Sequence, residues 1–181
     1  MPDPEIWRHR PRVRPALTSD IPRILEILTD AAEWARQRGV ERWWPIPFPS
    51  GRIVPPVDRK EAYVGEIEGK VVGFFVLTWA DPAIWGDVPP DAGYVHLLAA
   101  ERDPALRGLG RHLLGWAEER VRAAGRAKLR LDCIADNASL VRYYESVGFV
   151  RVRVVPSPVL GEVRSIQLFE RDLGDRDPGP A

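Results

Sequence analysis

The chain is short of several things, and each shortage closes off a class of protein. One cysteine, Cys133, stands among 181 residues, so no internal disulfide can staple the fold. Net charge is absent as well. The 26 Lys and Arg residues balance 26 Asp and Glu, which removes the compositional reason to expect a nucleic acid or an anionic membrane as partner. No apolar run approaches the ~20 residues of a membrane span, and the N-terminal stretch carries arginines without a hydrophobic signal core. A cytoplasmic location is the simplest expectation. No internal repeat and no second domain are visible, and a single domain of this length can bury roughly two-thirds of its unfolded surface.

What the sequence does contain is organised around Gly93 to Phe149. A strand, Gly93–Ala100, leads to a loop with two glycines, Arg107-Gly-Leu-Gly-Arg111, that opens a helix. A second strand, Lys128–Ile134, leads to a helix begun by Asn137. The first helix has an apolar stripe of Leu109, Leu113, Ala117 and Val121, with Glu118, Glu119 and Arg122 off it. Gly108 and Gly110 let the backbone turn sharply and approach a ligand closely. The first helical turn beyond them offers amides without intrahelical partners, a corner suited to anions and above all phosphates. Arg107 and Arg111 add charge there. Taken alone, two glycines fit a tight turn as well as a ligand site. The dinucleotide fingerprint is excluded because its third glycine position is Leu113, and the P-loop because no Gly-Lys-Ser/Thr follows.

The second segment sharpens the reading. In Asp136-Asn-Ala-Ser-Leu-Val-Arg-Tyr-Tyr-Glu-Ser-Val-Gly-Phe149, Asn137 suits an N-cap and Gly148 a left-handed helix stop. Leu140, Val141, Tyr144 and Val147 share one face, while Tyr143 points elsewhere. Cys133 alternates with Leu129 and Leu131 and reads as a buried, inert thiol.

These two segments, in this order and at this separation, resemble the GNAT superfamily of acyl-CoA N-acyltransferases. The likeness rests on Leu98-Ala-Ala100 leading to Arg107-Gly-Leu-Gly-Arg-His-Leu-Leu114, and on Asn137 followed by Tyr144-Glu-Ser-Val-Gly-Phe149. It is firm from about Val71 to Phe149. The resemblance implies an α/β fold with a mixed, mostly antiparallel central sheet, helices on both faces, and a splay between the two central strands. One departure stands out. The family's loop usually begins with Gln or Arg three residues before the first paired glycine, where this chain has Ala105. Whether Arg107 or Arg111 meets the pyrophosphate is therefore left open.

The flanks fit one domain over residues 11–172, between a loose arm at 1–10 and a polar tail at 173–181. Val13–Leu17 reads as a short strand. Thr18-Ser-Asp20 then caps a helix with Ile21, Ile24, Leu25, Leu28, Ala31, Ala32 and Ala35 on its apolar face. Val40 to Val57 is proline-rich and aromatic, which argues against helix and central strand. Glu61–Glu68 and Val71–Thr78 form a hairpin about Gly69-Lys70. Asp81, Asp87 and Asp91 lie in a proline-rich loop, either solvating it or drawing in a cationic acceptor. Val150–Val155 and Arg164–Glu170 are final strands joined through Pro156 to Gly161.

The resemblance implies acetyl transfer from acetyl-CoA to a primary amine in a ternary complex, without a metal. The amides of Arg107, Gly108, Leu109, Gly110, Arg111 and His112 would hold the pyrophosphate. Backbone groups of Leu98, Ala99 and Ala100 would pair with the pantetheine arm. Tyr144 would protonate the leaving thiolate, as a phenol that stays protonated at neutral pH. Asn137 would orient the cofactor, or serve only as a helix cap. The base candidates are His96 and Glu101, although a lone His in an apolar strand is more often a satisfied core residue. Trp34, Trp43, Trp44 and Phe48 would wall the acceptor side or simply cover the core. Alternative acceptors are a protein N-terminus or a lysine. Another class altogether is a non-catalytic acyl-CoA sensor. Exposed strand edges are compatible with a homodimer.

Overall fold

Segments that alternate or run continuously apolar in the sequence come together as one seven-stranded sheet in the computed structural model, which describes residues 11–39, 45–159 and 162–174. The strands are β1 (Arg12–Pro15), β2 (Ala62–Ile67), β3 (Lys70–Thr78), β4 (Ala92–Ala100), β5 (Lys128–Ile134), β6 (Val150–Val159) and β7 (Glu162–Asp172). Their spatial order is β1-β2-β3-β4-β5-β7-β6. Neighbours are antiparallel except β4 and β5. Helices among the described residues are α1 (Ile21–Arg36), α2 (Val54–Asp58), α3 (Pro82–Trp85), α4 (Leu109–Ala123) and α5 (Ala138–Ser146). A parallel pair cannot be closed by a hairpin, so the chain passes from β4 to β5 through α4.

Both faces of the sheet are covered. On one, Leu109, Leu113, Ala117 and Val121 of α4 and Val141 and Tyr144 of α5 share a core with Val95, Leu131, Cys133 and Phe169. On the other, α1 and α2 lie over Val64, Phe74, Val76 and Ala99, and the 79–91 loop with α3 lies over Tyr94, Ile134, Ile166 and Leu168. Seven consecutive residues of β3, Val71 to Leu77, are buried, which explains why that strand reads as a continuous apolar run. Helix α4 lies close on the sheet because the strands beneath it carry glycines. A Cβ at Gly65 or Gly73 would stand 2.9 or 2.8 Å from the Leu113 methyls, and one at Gly93 would run into Val121.

Several local expectations change. Strand β1 is Arg12–Pro15 rather than 13–17, because a 3-10 turn takes Thr18–Asp20 and leaves Leu17 exposed. The proline-rich segment does hold a helix, α2. Its Pro55 falls in the first turn, where no amide is needed. Strands β6 and β7 are longer than expected, and β6 continues through Pro156 because it is an edge strand whose outer side requires no donors. Val150, Val152 and Val154 stand exposed along it. Glu118 is buried rather than off the stripe, since Arg171 donates to its carboxylate at 2.6 Å. Tyr143 packs against the α4 and α5 core, with its hydroxyl at the first turn of α4. The arm at 1–10, Val40 to Trp44, and the tail beyond Gly174 lie outside the described residues.

Candidate active site

A bulge opens the sheet. Val76 faces His96 across the β3–β4 ladder and Phe74 faces Ala99, so the one residue of β3 between these rungs, Phe75, is spanned by two of β4, Leu97 and Leu98. Leu97 takes up the extra length with a left-handed φ of 54°, a conformation that side-chain-bearing residues adopt at a cost. Strand β4 therefore pairs with β5 only from Ala92↔Lys128 to Val95↔Leu131. Strand β5 stays paired with β7 as far as Ile134↔Ile166. Between His96–Ala100 and Asp132–Ile134 the sheet is a wedge, and Leu98, Ala99 and Ala100 run along its open side.

The start of α4 lies at the end of β4's loop. Gly108 is its N-cap, with φ at 93° in the left-handed region that glycine tolerates. The amide of Arg107 donates to the Pro104 carbonyl at 3.3 Å and that of His112 to the Gly108 carbonyl at 3.0 Å. The free donors of the first turn are thus Leu109, Gly110 and Arg111, fewer than the sequence suggested. The His112 imidazole meets the Pro11 carbonyl at 3.0 Å, which ties it to the N-terminal side and not to this corner. Arg107 and Arg111 are both exposed beside it. Gly110 leaves room for the Tyr143 hydroxyl, which would lie 2.8 Å from a Cβ there.

Helix α5 supplies the floor of the wedge. Asn137 caps it, its side chain accepting from the Leu140 amide at 3.1 Å. Two turns further on, Tyr144 is buried between Phe149, Phe169 and Tyr143, at ring separations of 6.0, 5.5 and 5.5 Å. Burial pushes its phenol well above the ordinary value, so it is protonated throughout the neutral range. Its hydroxyl takes no hydrogen-bond partner among the described residues. Cys133, on the same face, is also buried, and its thiol is pushed up to about 12. That is an inert group.

The opposite face of the wedge is acidic. His96 and Asp132 are the first residues past the last shared rung of β4 and β5, and both point away from α4 and α5. Asp81, from the loop before α3, joins them. One ligating atom from each of Asp81, His96 and Asp132 lies within 4.8 Å of the other two. Burial raises the Asp132 carboxyl to about 7, with the charge of Asp81 adding to the rise. Burial also lowers His96, against the pull of Asp81 and Glu61. The imidazole Nε2 and the Thr78 hydroxyl are 3.1 Å apart. Asp81 is thus no surface carboxylate solvating its loop. The sequence did hold a signal for Asp132: alternation placed Leu131 and Cys133 in the core and so turned the residue between them to the other face.

The remaining expected residues are spread around the wedge. Glu101 is engaged elsewhere, its Oε1 2.7 Å from Lys70 Nζ and 3.1 Å from an Arg23 nitrogen. Trp34 is flanked by the guanidinium groups of Arg38 and Arg102, at 3.9 and 3.5 Å from the ring centre. Phe48 is buried under α1 with Ile24 and Ile53, a packing position. Trp43 and Trp44 fall outside the described residues.

Comparison with known proteins meets this geometry. Residues 47–149 match the acetyltransferase (GNAT) family, a span that includes the bulged strand, the glycine corner and α5. The chain belongs to that family. As a GNAT protein it is an acyltransferase with relatives of known sequence and structure. It is 30% identical over 144 residues to YesJ, an uncharacterised N-acetyltransferase of Bacillus subtilis, covering 75% of this chain and 79% of YesJ. It is 26% identical over 149 residues to the S-(2-succino)cysteine N-acetyltransferase of the same organism, covering 78% of this chain and 86% of that one. Among solved structures, a GNAT family acetyltransferase from Listeria monocytogenes superposes with a TM-score of 0.70 at 25% identity, over 90% of this chain and 94% of that one. The GNAT fold expected from the two motifs is the fold found.

Proposed function

We propose that this GNAT protein transfers an acetyl group from acetyl-CoA to a primary amine of a small molecule by direct attack. The observation that carries the reading is the wedge itself, with free α4 amides at one end, an unpartnered phenol on its floor and a half-buried carboxyl of raised pKa opposite. The corner fits a diphosphate: three first-turn amides point out of a helix whose cap has no side chain, with Arg107 and Arg111 beside it. A structural relative from Salmonella typhimurium, 18% identical with a TM-score of 0.65 over 94% of this chain and 98% of that one, contains acetyl-CoA. The relative named for S-(2-succino)cysteine supports the small size of the acceptor and not the absence of an α-carboxylate, since that compound is an amino acid.

Within this reading each residue has one task. Leu98 to Ala100 offer open backbone to the pantetheine amides and a donor to the oxygen on which charge develops. Asp132, ionised above its raised pKa, takes a proton from the acceptor's ammonium, with His96 alongside. The freed nitrogen attacks the acyl carbon, the carbon–sulfur bond breaks, and Tyr144 gives its proton to the sulfur. The nitrogen's remaining excess proton restores the phenol through solvent, so one proton is released per turnover. Asn137 acts through its cap, which fixes the start of α5 and hence Tyr144.

Acetyl-CoA consumption over a panel of primary amines tests the proposal. Release of free thiol with acetylation of at least one amine is expected. Tight binding of acetyl-CoA without transfer to any amine would instead make the chain an acyl-CoA sensor.

A further inference from the structure

We infer that the acceptor is a cationic amine with no carboxylate on the amine-bearing carbon, held as its ammonium between Asp81 and Asp132. The inference rests on the acetyl-transfer reading above and adds to it a substrate class.

Three observations carry it. Asp81 occupies the N-cap of α3, where an aspartate ordinarily spends its carboxylate on the first-turn amides. Its side chain makes no such bond. Its Oδ2 is instead cut off from solvent without a hydrogen-bond partner among the described residues, an arrangement that costs free energy until a donor arrives. Next, the cluster has no internal cation. Among the described residues no Lys or Arg lies within ion-pair distance of Asp81 or Asp132, and the charges that bear on Asp132 and His96 are those of Asp81 and Glu61. The arginines nearby in the fold are committed: Arg126 to the Trp79 and Ala92 carbonyls, Arg130 to Glu170, Asp91 and the Tyr94 hydroxyl. Finally, the cluster sits where β4 and β5 part, beside the open backbone of Leu98.

An ammonium has three donors, and the cluster has two carboxylates and an imidazole within 4.8 Å of one another. A carboxylate on the same carbon would be held within a few ångströms of both aspartates, with little water to screen it. Simple alkylamines, diamines and amino alcohols meet these conditions. α-Amino acids do not.

Matched pairs differing only in that carboxylate decide the matter: tyramine against tyrosine, agmatine against arginine, ethanolamine against serine. With the native enzyme, kcat/KM for the better amine is expected to exceed that for its amino acid by about a hundredfold or more, the scale of a like-charge clash at close range. Asp81→Asn should narrow that preference to less than about tenfold, mainly through KM, with acetyl-CoA affinity unchanged. A purely structural Asp81 would lower both members of a pair alike, and that result would overturn the inference. So would equal or better use of the amino acids by the native enzyme, although acetyl transfer itself would then stand. Binding of acetyl-CoA with no transfer to any compound would overturn both readings. Stoichiometric, tight Zn2+ binding lost in Asp81→Asn, without an amine preference, would make the cluster a metal site and overturn the inference too.

Discussion

Val95 stands opposite Leu131 at the last rung that β4 and β5 share. One residue later, His96 and Asp132 carry the acidic side of the wedge. Two residues beyond that, Leu98 opens its backbone to the gap. The register of a four-residue ladder thus decides which side chains reach the reaction and which remain in the core.

Tyr144→Phe keeps the buried ring and its contacts with Phe149 and Phe169 while removing the proton. Turnover is expected to fall by roughly a hundredfold to ten-thousandfold, the range usual for a lost general acid, with acetyl-CoA affinity nearly unchanged. Steady-state rates and calorimetry together test this. Normal turnover would release the phenol from its role.

Gly108→Val places a β-branched residue at a φ of 93°. Such a residue cannot hold the left-handed conformation without strain on the order of 1–3 kcal/mol. The first turn of α4 should rearrange and acetyl-CoA binding weaken by about tenfold or more. Unaltered affinity in a calorimeter would count against the glycine corner.

Asp132→Asn separates chemistry from stability. The carboxyl titrates near 7 in the fold and near 4 when unfolded, so the folded state holds the extra proton between those values. The stability this gives is present below about pH 4 and lost as pH rises through about 7. The charge of Asp81 acts on Asp132 in the same direction as its burial. The variant should therefore be more stable than the native chain at pH 8, by roughly 1–3 kcal/mol after allowance for partial solvent screening. That advantage should vanish by pH 4 in denaturant titrations. Its kcat should drop sharply, and the native rise of kcat/KM through about pH 7 should disappear. A native pH profile in the variant would remove Asp132 as the base.

Glu101→Gln tests the other carboxylate of β4. Glu101 is held by Lys70 and Arg23 at the far end of the strand, so kcat is expected to change by less than about threefold. A loss of a hundredfold would return it to the list of bases.

Helix α4 offers a packing test. Gly73→Ala would push a methyl against Leu113 and should cost about 1–3 kcal/mol by overpacking. Leu113→Ala should cost about 2–5 kcal/mol by leaving a cavity. Combined, the two should cost less than their sum, because the added methyl occupies part of the space vacated. Strict additivity in thermal unfolding would mean that α4 does not rest on β3 in this way.

Much of this architecture was readable from the residues alone. The stripe Leu109, Leu113, Ala117 and Val121 and the alternation of Leu129, Leu131 and Cys133 are local patterns, and local patterns place the β4-α4-β5-α5 unit directly. The Asn137 cap and the Gly148 stop fall where they were expected. What escaped depends on distant partners. Glu118 is buried only because Arg171, 53 residues later, reaches it. Asp81 turns inward only because β4 and β5 bring His96 and Asp132 beneath its loop. The bulge at Leu97 leaves no trace in composition, since a leucine is an unremarkable strand residue until its φ is known. The alternation of Leu131 and Cys133 turns Asp132 away from α4, a consequence the sequence reading does not draw, and alternation alone cannot show that a loop covers that side.

The wedge divides the sheet into two halves, β1 to β4 and β5 to β7, joined through four rungs and the helices that straddle them. A long donor molecule threaded through the gap, with amides of its own, would splice the halves like a missing strand. The plane along which heat or denaturant first parts the unliganded chain is then the plane its substrate repairs, and storage with the donor present should protect both halves at once.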